Sequence, residues 1–140
     1  MTADPVAARR VSWREYRLEF PAETASVPVT RGMVRLLCSA WEVPQEAAYT
    51  TMLLASEIIT NAVVVSGGEV LRMTLRQVLD YLYFDCDDHD PVIPETPAMP
   101  DGEELSGRGL PLVEELASTC GWDRLTDRQG KVRWFTLAVR

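Results

Sequence analysis

The chain has 140 residues, 46 % of them hydrophobic, with 14 Lys and Arg against 21 Asp and Glu, a formal charge of −7. That size suits one domain with a real core, and the acidic balance argues against direct nucleic-acid binding, which calls for a clustered basic face. Cys38, Cys86 and Cys120 are odd in number, widely spaced and free of any C-x-x-C pair, which argues against a zinc site or a disulfide framework.

Residues 1–12 are polar and rich in Arg and Ala, and read as a flexible N-terminal arm before a single domain over 13–140. Trp13 to Phe20 alternates as an edge strand would and runs into a turn at Pro21. Ser26-Val27-Pro28 predicts a helix start with Ser26 as the cap, and Val29, Met33, Leu36, Leu37 and Ala40 continue at helical spacing to about Trp41. Pro44-Gln45-Glu46 opens a longer helix, apolar at Ala48, Met52, Leu53, Ala55, Ile58, Ile59, Ala62 and Val63, which Gly67-Gly68 stops after Ser66. Glu69–Val78 and Leu79–Cys86 predict a hairpin. Residues 87–106, with four prolines, predict a long loop of the kind that serves as a lid. A short helix over about Gly109–Ser118 and two strands, about Gly121–Asp127 and Lys131–Val139, complete the chain. Strands in hairpins with helices between them predict an α+β two-layer sandwich, a mixed and mostly antiparallel sheet covered by helices on one face. The opening Met-Thr-Ala-Asp-Pro has no apolar leader, and no apolar run reaches the roughly 18 residues of a bilayer span, so a cytoplasmic protein without membrane contact is expected.

Three groups carry chemistry. Glu57 and Asn61 lie four residues apart, on one face of the long helix about one turn apart. A carboxamide oxygen there is an acceptable hard ligand for Mg²⁺, and a carboxylate one turn away can act as a general base; a polar pair bonded to backbone is the plainer alternative. Ser106-Gly107-Arg108-Gly109-Leu110 places glycines before a helix N-terminus, where free N–H groups and the dipole favour phosphate; a tight turn would look the same. Asp88 ends a strand before the proline-rich loop, where its carboxylate can accept from an exocyclic amine such as that of adenine; a solvated acidic turn of Asp87, Asp88 and Asp90 is the alternative. His89, the one histidine, reads as a solvated loop residue. Trp41, Trp122 and Trp134 read as packing residues. Lys131 reads as hairpin-turn chemistry or as a group facing a phosphate.

In this order the segments resemble the GHKL (Bergerat-fold, HATPase) ATPases, and among them the bacterial anti-sigma-factor serine/threonine kinases, over about Tyr16 to Val139. Ser56-Glu57-Ile58-Ile59-Thr60-Asn61-Ala62 resembles the N-box, Asp88 to Pro94 the first glycine box, Glu104 to Val113 the second, and Gly130 to Trp134 the closing strand. The resemblance implies Glu57 as the catalytic residue, Asn61 as Mg²⁺ ligand, and ATP contacts at Asp88, Pro91, Gly107, Arg108, Gly109 and Leu110. It implies Mg-ATP as cofactor, and as partners a sigma factor and an anti-sigma antagonist phosphorylated on Ser or Thr; a homodimer is a further expectation. The chain departs from the family pattern at three places: Val63-Val64-Val65 stand where basic residues are usual, the first box has no glycine, and Gly121-Trp122 reverses the usual Trp-Gly order. These departures keep open a second reading, a non-catalytic protein-binding module on the same fold.

Overall fold

The computed structural model describes residues 13–94 and 109–139. Five strands, β1 (Trp13–Pro21), β2 (Val70–Val78), β3 (Tyr81–Asp88), β4 (Thr119–Arg124) and β5 (Lys131–Ala138), form one sheet in the order β1-β2-β3-β5-β4. All four neighbouring pairs are antiparallel. Three helices, α1 (Ser26–Ala40), α2 (Gln45–Ser66) and α3 (Gly109–Leu116), complete the described elements. This is the α+β sandwich expected from the order of the segments.

Alternation along the strands decides which face is covered. Leu71, Met73 and Leu75 of β2, Leu82, Phe84 and Cys86 of β3, and Phe135 and Leu137 of β5 are buried on one side. The register sets Leu75 opposite Phe84 and Phe84 opposite Phe135, so the apolar side chains form rows across the sheet. Helix α2 meets these rows with Leu54, Ala55, Ile58, Ile59, Ala62 and Val63. By length and hydropathy α2 also passes as a candidate membrane span, but Leu54 and Ile59 are fully buried in this core. Helix α1 turns Val34 and Cys38 inward, with Thr30 Oγ1 donating to the Ser26 carbonyl at 2.8 Å.

Several boundaries differ from expectation, each for a local reason. Ser26 is the first helical residue rather than the cap, and its hydroxyl donates to the Pro21 carbonyl at 2.7 Å. Strand β3 begins at Tyr81, because Leu79 adopts φ 54° inside the β2–β3 turn. It also runs on to Asp88, which pairs with Lys131, so the chain leaves the sheet two residues later than predicted. Helix α3 stops at Leu116 because the Ser118 N–H turns to the Thr136 carbonyl, and β4 starts there, at Thr119. The β4–β5 turn closes early, through Leu125 N–H to the Gly130 carbonyl at 3.1 Å.

Candidate functional site

The covered face of the sheet changes character toward one end. Beyond the Met73–Cys86 pair, the same inward rows carry Asp88 on β3 and Lys131 and Arg133 on β5, with Trp122 of β4 opposite Arg133. The C-terminal half of α2 crosses above them and supplies Ile58, Asn61 and Ala62. An open pocket of about 320 Å³ results, lined by Asn61, Val64, Val65, Asp88, Asp90, Val92, Pro94, Trp122 and Lys131. That volume lies at the lower end of small-molecule sites. Beneath it lies a void of about 10 Å³ between Ile58, Asn61, Ala62, Cys86, Asp88, Trp122 and Arg133, room for about one water.

Asp88 is 5 % exposed. Its Oδ1 accepts from the Asp90 N–H at 2.8 Å and from Lys131 Nζ at 3.1 Å, and its Oδ2 lies 3.1 Å from the same ammonium. Lys131 Nζ also donates to the Asp90 carbonyl at 2.9 Å. Burial pushes the Asp88 carboxyl above the ordinary 3.8, while the Asp90 N–H and the Lys131 charge pull it back. Arg133 is buried too: one terminal nitrogen reaches Glu114 of α3 at 3.4 Å, and among the described residues Nε and Nη1 have no hydrogen-bond partner. Both cations lie against the Trp122 ring, the guanidinium at 4.7 Å and the ammonium at 5.4 Å from its centre.

The strand end that carries Asp88 is held on its far side. Asp87 Oδ1 accepts from the Arg72 N–H at 2.7 Å and Oδ2 from Arg128 at 2.7 Å. His89 is fixed rather than free: its N–H donates to Ser66 Oγ at 3.0 Å, and Nε2 lies 3.0 Å from the Val70 carbonyl, which makes that nitrogen the protonated one. Gly130, at φ 136°, lets β5 pass close to the Asp88 carbonyl, where a Cβ would collide.

The structure therefore brings Asn61 and Asp88 to one pocket, from a helix and a strand remote in sequence. Glu57, half-buried one turn back on α2, stands outside that pocket's lining. Pro91 is turned elsewhere: its carbonyl accepts from Arg124 at 3.0 Å, and it lines a separate surface depression with residues 124–130. Gly109 and Leu110 open helix α3; Gly107 and Arg108 lie outside the described residues, as does most of the expected lid. Of the valine run, Val63 is core, whereas Val64 and Val65 are 75 % and 47 % exposed at the pocket mouth. Sequence reasoning passed over Arg133 and Trp122 as site residues, and offered Lys131 only as a turn residue or one facing a phosphate. The alternation Lys131, Arg133, Phe135, Leu137 was the available signal, because it puts two cations on the core face of a strand. Lys131 directly follows the Gly130 turn and pairs with the Asp88 carboxylate. Gly121 also gains a reason: a Cβ there would come within 2.7 Å of the Trp134 ring, which lies across it on the opposite face.

A search of curated proteins finds no match to the chain. A family model for the histidine kinase-like ATPase domain matches residues 20–136, from the end of β1 into β5. A domain of this kind implies ATP binding, typically with Mg²⁺, and the pocket between α2 and the sheet offers an acceptor (Asp88) and a hard oxygen ligand (Asn61) suited to both. The chain belongs to the histidine kinase-like ATPase family.

Proposed function

We propose that this protein is an ATP-dependent regulator of the anti-sigma kinase kind. In this reading it holds a sigma factor inactive and transfers phosphate from Mg-ATP to a Ser or Thr of an antagonist protein. The observation that carries the reading is the meeting of Asp88 and Asn61 in one pocket, with Glu57 one helical turn from Asn61. Asp88 would accept the adenine amine and Asn61 would hold Mg²⁺. Glu57 would orient the acceptor hydroxyl and take its proton. Bound Mg²⁺ supplies charge neutralisation on the phosphates. The rest of such a transfer is positioning, so a small set of side chains suffices.

A second reading, a protein-binding module with weak nucleotide affinity, draws on Val64 and Val65. Their exposure puts apolar surface at the pocket mouth, a feature suited to a protein partner. Radiolabelled ATP, the protein and candidate antagonist domains separate the two readings. Transfer of label to a Ser or Thr, reduced at least about a hundredfold by Glu57→Gln, is the expected result. Nucleotide-independent capture of the partner with no transfer would establish the module instead.

A further inference from the structure

The acceptor that the ATP reading assigns to adenine is already engaged by the protein's own cation. Lys131 Nζ lies 3.1 Å from both oxygens of Asp88 and 2.9 Å from the Asp90 carbonyl, and hydrogen-bonds to both residues. The two side chains are 4 % and 8 % exposed, and water does little to loosen the pair. An exocyclic amine and a lysine ammonium are both donors and therefore compete for the same lone pairs. Trp122 adds a second obstacle. Its indole, like Asn61 and Asp88, lines both the open pocket and the void of about 10 Å³. Lys131 and Arg133 hold that ring through its π face. Arg133 keeps two buried nitrogens, Nε and Nη1, without a partner among the described residues, an arrangement at odds with a fully satisfied core.

We propose that Lys131 sets the nucleotide affinity of this site: it occupies the Asp88 acceptor and, with Arg133, holds Trp122 in the pocket wall. The ligand class is an adenine nucleotide, so the inference rests on the ATP reading above. ATP enters by displacing the indole and sharing Asp88 with the lysine, and affinity is held below what the same pocket would have with a neutral residue at 131. Lys131 acts through Asp88 and Trp122, and is a positioning residue rather than a catalytic one.

The test is calorimetric titration with Mg-ATP at pH 8 of the full chain, Lys131→Met, Lys131→Gln and Asp88→Asn, each checked for folding by circular dichroism. Lys131→Met should bind ATP at least about tenfold more tightly than the parent, the worth of one charge-assisted hydrogen bond freed for the ligand. Lys131→Gln, which keeps neutral donors for Asp88, should gain less, and it decides the matter if the Met variant does not fold. Tryptophan fluorescence should change on ATP addition to the parent, and this change should be lost in Trp122→Phe. Unchanged or weaker binding by a folded Lys131 variant, while Asp88→Asn abolishes binding by an otherwise native chain, would overturn this inference and leave the ATP reading standing. Absence of binding by both the parent and the Lys131 variants would overturn the two together.

Discussion

At Asp88 burial and pairing act in opposite directions, and burial is the larger effect. Between the ordinary value of 3.8 and its raised one in the folded protein, the native carboxyl holds a proton that the unfolded chain has lost. Stability from this group is therefore present at the low end of that window and declines as pH rises through it. Ligand binding follows the opposite sign, because only the ionised carboxylate offers all its lone pairs to an amine. ATP affinity should fall as pH is lowered into the range where the raised Asp88 carboxyl takes up its proton, and a calorimetric pH series on the parent should show that fall. An affinity that does not weaken at any acidic pH where the chain stays folded would remove Asp88 from the contact. The sequence made Asn61 legible as half of a polar pair inside an apolar helix, and Asp88 as a carboxylate at a strand end before the proline-rich loop. It did not make the Lys131–Asp88 pair legible, since the two are 43 positions apart and only the β3–β5 register opposes them.

Helix α2 bears both the core and the site. Its inward residues Leu54, Ile58 and Ala62 recur every four positions, while Glu57 and Asn61 sit on the flank of the same stripe. Fixing the helix on the sheet thereby fixes Asn61 opposite Asp88. Leu54 is fully buried, and Leu54→Ala should cost about 3 kcal/mol, read from denaturant midpoints at unchanged slope. A loss under about 1 kcal/mol would mean that the interface collapses around the cavity. The long periodic helices were readable to within a residue or two, because 3.6-residue spacing persists over many turns. Strand ends were not, since they depend on partners: Asp88 stays in the sheet through Lys131, and β4 leaves it through the Gly130 carbonyl. Leu79 shows the same limit, because its φ of 54° comes from the turn that joins β2 and β3 rather than from its own preference.

Over the whole molecule, one antiparallel sheet and the helices above it produce two different environments from the same strands. Toward the β2–β3 turn the inward rows are apolar and closed, with Leu75, Phe84 and Phe135 in line. Toward the other end they turn into Asp88, Lys131, Arg133 and Trp122, and α2 stands off far enough to leave a pocket. The formal charge of −7 adds no long-range attraction for a polyanion, so affinity for ATP has to come from local donors and a metal. Two consecutive valines at the mouth and a lysine committed to Asp88 reduce what those donors can offer. The matched family and the pocket's two chemically apt residues nevertheless converge on nucleotide. Calorimetric titration of the protein with ATP, with and without Mg²⁺ and beside Asn61→Ala, tests this most directly. Saturable binding with a dissociation constant at or below about 1 mM, strengthened by Mg²⁺ and lowered at least about tenfold in affinity by Asn61→Ala, is the result expected. No heat of binding by the folded parent at several millimolar ATP would contradict it.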